Sequence, residues 1–276
     1  MNILSVISAS RRRVIYDDDA ALLFPLLATA GATVSDAQKL LISDFIAAEK
    51  TASRWALGKR FFLPIWGLSA ANAIDWVSRT SPSFSGTVTH GAGFAKGNGS
   101  SGRLLIGTNA AGLGLSNGNA TIGGGIWKED TRHASGTAAC IGGASGSAIC
   151  RIAPGGASNQ NRVISYLCPT NAQRTIMTRS STSASGIVIS TSNAANYRYS
   201  YLKRDATTQS VSNTSTDAGT LSANNLEFMS ISGGEYTDAE MYFFYLGLGM
   251  SASDAAALAA SVESLAKALT GKSYTI

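Results

Sequence analysis

Three tyrosines alternate along YRYSYLK, at Tyr197, Tyr199 and Tyr201. On a β-strand, residues two apart share a face, so this spacing makes a row of rings. Such a row reads in two ways. It is part of an apolar core or an inter-subunit face, or it is a stacking platform for sugar rings, because tyrosine joins an apolar face to a polar tip. The next reactive group is the cysteines Cys140, Cys150 and Cys168. Their odd number does not close a disulfide framework, there is no CxxC pair, and the spacing fits no zinc pattern. They read as small buried apolar residues, or as disulfide-forming residues, within or between subunits, once the protein leaves a reducing compartment.

Catalytic constellations are thinly represented. Either His90 or His133 could serve a serine triad, but no G-x-S-x-G elbow occurs and no HExxH zinc motif is present. The glycine-rich GAGFAKGNG carries Lys96 where a dinucleotide fingerprint has its third glycine, and LTGKS has Ala266 where a phosphate-binding loop needs its first glycine. Both read as turns. Asp17, Asp18 and Asp19 could hold Ca²⁺, but they lack the spaced acidic pattern of an EF-hand and read as helix caps. Glu129, Asp130 and Glu235 are available as paired acids for glycoside cleavage, a pairing made in space rather than in sequence. The expectation is no catalytic residue, no metal and no cofactor.

The elements that must position these residues follow from composition. Of 276 residues, 45% are hydrophobic and 14% charged, against roughly 25% charged in ordinary domains. Abundant Gly, Ser, Thr and Asn favour strands and tight turns, and so few charges are consistent with a surface covered in an assembly. The net charge of +5 is scattered, apart from Arg11, Arg12 and Arg13, so nucleic-acid binding is not expected. In MNILSVISASRRRV the charges follow the apolar run, the wrong order for a secretory signal. No run approaches the ~20 apolar residues of a membrane span. Folding in a cytoplasm without membrane insertion is expected.

IYDDDAALLFPLLATAG predicts a helix, short or kinked at Pro25 and stopped at Gly31. TVSDAQKLLISDFIAAEKTASRW predicts a second helix over 35–56, capped by Ser35 or Thr33 and closed by Gly58. FFLPIWG, 61–67, reads as a strand. From there to about 235, short β-branched or aromatic pieces such as RLLIGT, ATIGGGIW, AICRIA, GIVIST and QSVSNTS recur between Gly, Asn and Ser clusters. That is the pattern of an antiparallel sandwich, with no strand–helix alternation. MYFFYLGLG suits a strand buried on both faces. Ser251 and Asp254 start a closing helix, 251–270, with a stripe of Leu258, Val262, Leu265 and Leu269, and Gly271 ends it.

Three blocks in order carry a family resemblance. VIYDDDAALLFPLLATAGATVSDAQKLLISDFIAAEKTASRWALGKRFFLPIWG, then ANAIDWVSRTSPSFSGTVTHGAGFAKGNGSSGRLLIGTN, then EYTDAEMYFFYLGLGMSASDAAALAASVESLAKALTGK resemble a group of tailed-phage virion proteins with a concanavalin-like, LamG-like jelly-roll β-sandwich. The stretch 130–225 matches only in style. The resemblance implies a mostly β, antiparallel sandwich, over residues 59–276 with its closing helix; the helical segment before it, 1–58, is expected as a docking element because its helices read as separable from the sandwich. The resemblance further implies a non-enzymatic structural protein of the virion, in a tail fibre, baseplate or capsid appendage. Its partners would be other virion proteins and its own copies, a trimer favoured, and its role would be either attachment to a host surface glycan or protein or a purely structural one, as a decoration or connecting subunit. The rival reading is a polysaccharide-degrading enzyme on the same sandwich. The resemblance supplies no catalytic residue.

Overall fold

The computed structural model describes residues 14–128, 141–145, 148–156, 159–168, 175–178, 185–194, 197–214, 219–231 and 235–274. In chain order these form α1 (Asp18–Thr29), α2 (Asp36–Thr51), a 3₁₀ turn (Trp55–Leu57), β1 (Gly58–Phe62), α3 (Ser69–Asn72), β2 (Ser83–Ser85), β3 (Val88–Gly91), β4 (Phe94–Gly97) and β5 (Arg103–Leu105). A second 3₁₀ turn (Ala111–Leu113) precedes β6 (Ala120–Lys128), β7 (Ile141–Ser145), β8 (Ala148–Gly156), β9 (Asn159–Cys168), β10 (Thr175–Thr178), β11 (Gly186–Ala194), β12 (Tyr197–Arg204) and β13 (Thr207–Asn213). The chain closes with β14 (Glu227–Phe228), β15 (Ser230–Ile231), β16 (Glu235–Tyr236), β17 (Glu240–Gly247) and α4 (Ala252–Thr270).

Local chemistry sets the helix starts. Asp17 caps α1, its carboxylate accepting from the Asp19 N–H at 2.9 Å. Pro25 sits inside α1 without ending it; burial of Ala20, Leu23 and Leu27 on the opposite face offsets the backbone bond that proline cannot donate. Ser35 and Gln38 form a reciprocal capping box at the start of α2. That helix stops at Thr51, short of the expected 56, because Ser53 turns left-handed (φ 60°) and the Arg54 N–H bonds back to the Glu49 carbonyl at 2.9 Å. Gly58 therefore opens β1 instead of closing a helix. The strand expected at 61–67 begins earlier and ends at Phe62, with only a single bridge from Trp66 to Ala92 beyond it. GAGFAKGNG, expected as a turn, contains β4, which pairs with β3 from Gly91↔Phe94 to Val88↔Gly97.

The strands make an antiparallel two-sheet sandwich. The larger sheet runs β13-β12-β11-β6-β17-β4-β3, with β1 also paired to β17; the smaller runs β10-β9-β8-β7-β14-β5-β2. Leu104, Ile122, Val188, Leu202, Phe228 and Phe244 fill the space between the sheets. A second core covers the outer face of the larger sheet, where Leu23, Leu27, Ile42 and Phe45 of α1 and α2 meet Phe61, Trp127, Phe243 and Tyr245 of the sheet and Leu258 and Val262 of α4. β17 feeds both cores, as its unbroken apolar run predicts: Met241, Phe244 and Leu246 enter the space between the sheets, and Tyr242, Phe243 and Tyr245 the helix side, with a register shift between Met241 and Phe243 that puts two neighbours on one face. The first two helices thus share a core with the sheet and with α4 rather than standing apart from them.

Register explains the triple glycine of β6. Gly123, Gly124 and Gly125 lie opposite Tyr245, Phe244 and Phe243 of β17 and opposite Ile189, Val188 and Ile187 of β11. A Cβ on Gly125 would stand 2.7 Å from the Tyr242 ring. The aromatic run of β17 occupies the volume that the glycines leave empty.

Candidate functional site

Tyr197, Tyr199 and Tyr201 occupy alternate positions of β12 and are each half-buried, while Arg198, Ser200 and Leu202 between them are buried. Tyr199 and Tyr201 stack along the strand, ring centroids 6.5 Å apart and 20° from parallel. Both pack on the helix-side core, where α4 lies over β11 and β12. Burial, the largest influence, raises the Tyr201 hydroxyl above its usual value. These two rings therefore belong partly to the packing of α4, and each keeps a partly exposed edge. On the opposite face, Arg198 reaches between the sheets and donates to the Leu167 carbonyl at 3.2 Å and to Asn117.

Other sequence candidates are placed as follows. Asp17 and Asp19 both accept from Lys50, at 2.7 and 2.8 Å; Asp19 also pairs with Arg79 and accepts from the Trp55 indole at 3.1 Å. Their charge is met by side-chain cations, and Asp17 serves as the cap. His90 shares a 3.0 Å hydrogen bond between its Nδ1 and the Asn72 amide and meets Phe84 edge-on at 4.6 Å; burial lowers its pKa. Glu129, Asp130, His133 and Cys140 lie outside the described residues, as do the side chains of Glu235, Cys150 and Cys168. In the backbone register Cys150 stands opposite Leu167 and Cys168 opposite Ile149, one position out of step. Among the described residues no group of three His, Cys, Asp or Glu side chains is placed to hold a metal ion, and no helix is long and apolar enough to cross a membrane.

The structure adds a feature that sequence periodicity did not reveal. Leu26, Thr29 and Ala30 at the end of α1, Ser69, Ala70, Ala73 and Ile74 around α3, and Ser81 to Phe84 leading into β2 enclose an open cleft of about 610 Å³. Its lining is uncharged. Beside it α1 exposes Leu22, 54% accessible, with Ile15 at 89% just before the helix and Leu68 at 42% next to α3. The signal for this surface lies in α1 itself, where Leu22 and Leu26 fall off the stripe of Ala20, Leu23 and Leu27. Large side chains exposed together in this way mark contact surfaces more often than single scattered ones.

No family model matches this chain, and no curated protein matches it. Solved structures do. The Trypanosoma rangeli sialidase in complex with sialic acid matches at TM-score 0.50 and 10% identity, over 75% of this chain and 33% of that one. The binding domain of botulinum neurotoxin serotype D matches at TM-score 0.50 and 12% identity, over 79% of this chain and 52% of that one. The chain thus spans about a third and about half of these two proteins, and the likeness is one of fold. A tailspike protein of the Escherichia coli O157:H7 bacteriophage CAB120 matches at TM-score 0.35 and 12% identity, over 56% of this chain and 22% of that one; that likeness is too weak to show a shared fold.

Proposed function

We propose that this chain is a non-enzymatic structural protein of a tailed-phage virion, a tail-fibre, baseplate or capsid-appendage subunit. It presents a concanavalin-like jelly-roll sandwich outward for attachment to the host surface and docks through its helical layer onto other virion proteins, as a homo-oligomer with a trimer favoured. The ordered sequence blocks that resemble such proteins support the reading, and they fall on the helical layer and β1, on the α3-to-β5 region, and on β16, β17 and α4. The observation that carries it is the apolar surface of α1 with its cleft. Ile15, Leu22 and Leu68 leave a substantial hydrophobic area in water, which burial against a partner would stabilise at roughly 25 cal/mol per Å².

The test is mass spectrometry of purified virions together with the size of the isolated protein in solution. Peptides of this chain in the particle, an oligomer in solution, and poor incorporation of a folded Ile15→Ser/Leu22→Ser variant are expected. A monomer absent from virions would overturn the assignment. A reducing-end assay on host polysaccharide checks the non-enzymatic part, for which no release of sugar ends is expected.

A further inference from the structure

Three neighbouring strands bring a row of charges together on the helix side of the larger sheet. Glu240, the first residue of β17, stands opposite Lys96 of β4 and opposite Lys128 of β6. Directly opposite residues of an antiparallel pair point to the same face, with Cβ atoms ~5 Å apart. The face follows from the neighbours: Met241 enters the core between the sheets, Phe94 packs on the helix-side core, and Ala95 between Phe94 and Lys96 is fully buried. Lys272, just past α4, comes over the same spot. Its ammonium lies 3.2 Å from the Glu240 carboxylate and 4.3 Å from the centre of the Phe94 ring.

Glu240 thus stands among three lysines. Lys272 pairs with its carboxylate, while Lys96 and Lys128 make no ion pair among the described residues. Lys128 is exposed and Lys96 half-buried, so the row opens to solvent. Lys96 and Lys128 flank Glu240 on the two strands beside β17, and with Lys272 the row keeps a surplus of about two positive charges. A natural ligand for it is anionic. The acceptor at its centre narrows the class: a bare phosphate would be repelled by Glu240, whereas a sugar acid offers a carboxylate to the lysines and hydroxyl donors to Glu240.

We infer that Lys96, Lys128 and Glu240 form a binding site for a carboxylate-bearing polysaccharide. Lys96 and Lys128 hold the carboxylate, Glu240 accepts from ring hydroxyls, and Lys272 fixes Glu240 in place. The inference gives the attachment reading its chemistry and rests on it for biological meaning, but its test uses the purified protein, so its failure is distinct from failure of the virion assignment. The probe is an oligogalacturonate, titrated calorimetrically, with a neutral galactose oligomer, inorganic phosphate, polyglutamate and a single-stranded oligonucleotide as comparisons. Oligogalacturonate should bind more weakly as salt rises, and a Lys96→Ala/Lys128→Ala variant should lose about tenfold or more in affinity. The single variant Lys128→Glu, at an exposed position, should do the same if the double variant folds poorly. No binding, binding unchanged by these substitutions, or equal binding of phosphate, polyglutamate or the oligonucleotide would each overturn the inference.

Discussion

The ring of Tyr242 lies against that of Trp127, centroids 3.9 Å apart and 20° from parallel, in the helix-side core where β17 crosses β6. The Trp127 indole donates to the Gly93 carbonyl at 2.8 Å, which ties this stack to the hairpin of β3 and β4. The Tyr242 hydroxyl meets that of Tyr274 at 2.8 Å, and Tyr274 donates its proton to Glu263 at 2.8 Å. Since a phenol has one proton to give, Tyr242 is the donor to Tyr274. A chain of hydrogen bonds thus runs from the sheet, through the C-terminal segment, to α4.

The stack makes Gly125 sensitive. A methyl group there would meet the Tyr242 ring at 2.7 Å and the Phe243 Cβ at 3.0 Å. The Tyr242 ring is held by Trp127 on its face and by Tyr274 at its tip, so it has little room to move. Gly125→Ala is expected to destabilise by about 1–3 kcal/mol, read as a lower urea midpoint with an unchanged slope. Gly123→Ala, whose tightest contact is 3.1 Å, should cost less.

Alkaline pH should unfold the protein through the same region. Burial pushes the hydroxyls of Tyr242, Tyr245 and Tyr274 above the ordinary tyrosine value, with Glu263 adding to the effect at Tyr274. A folded-state pKa above the unfolded one means that the folded form holds its proton longer. The stabilisation is fully present below pH ~10, where unfolded tyrosine still keeps its proton, and is lost as pH rises beyond that. Phenolate absorbance should show a set of tyrosines that titrate only with the loss of near-ultraviolet dichroism. Tyr274→Phe should lower the stability gained below pH ~10, and smooth titration of all nine tyrosines without unfolding would contradict this account.

Asp75 is a second buried acid whose role is in holding the backbone. It is fully inaccessible, and its Oδ1 accepts from the N–H groups of Phe61 and Val77, each at 3.0 Å. Its other oxygen accepts from Ser78 and lies 3.4 Å from the Arg60 guanidinium. Burial raises its pKa, and these donors pull it back. Asp75→Ala leaves two N–H groups without an acceptor and should cost about 2–4 kcal/mol, whereas Asp75→Asn keeps an acceptor oxygen and should cost about 1 kcal/mol or less. Thermal melts of the two variants check the difference; equal losses would mean that the charge, not the acceptor, matters.

Local chemistry made part of this legible in advance. Ser35 with Gln38, Ser251 with Asp254, and the unbroken apolar run of β17 each act within a few residues, and each appears where its pattern places it. The parity of Tyr197, Tyr199 and Tyr201 was equally readable, but the layer that covers two of them was not, because α4 is brought there by tertiary packing. β4 escaped notice because GAGFAKGNG carries one large apolar residue among glycines, and its strand state comes from pairing with β3 and β17. The row of Lys96, Glu240 and Lys128 has no sequence spacing at all; three separate strands and a register bulge between Glu240 and Met241 create it.

The helical layer also bears on how docking is tested. Removing residues 1–34 would strip Ala20, Leu23 and Leu27 from the core, so loss of incorporation would not separate docking from folding; substitutions at the exposed Ile15 and Leu22 avoid that. The deepest tie lies between α2 and α4. Glu49, 1% exposed, accepts from Arg54 through both oxygens at 2.7 and 3.0 Å and from the Ser261 hydroxyl of α4 at 2.6 Å. Arg54→Ala strands a buried carboxylate and should cost about 3–5 kcal/mol. Replacing both partners with apolar residues, as in Glu49→Leu/Arg54→Met, should cost clearly less than Arg54→Ala alone, because no unpaired charge is left behind. Chemical denaturation of the two variants measures the gap. If the double variant were the less stable, the ion pair would be a net source of stability here rather than a fixed point that orients α2 on α4.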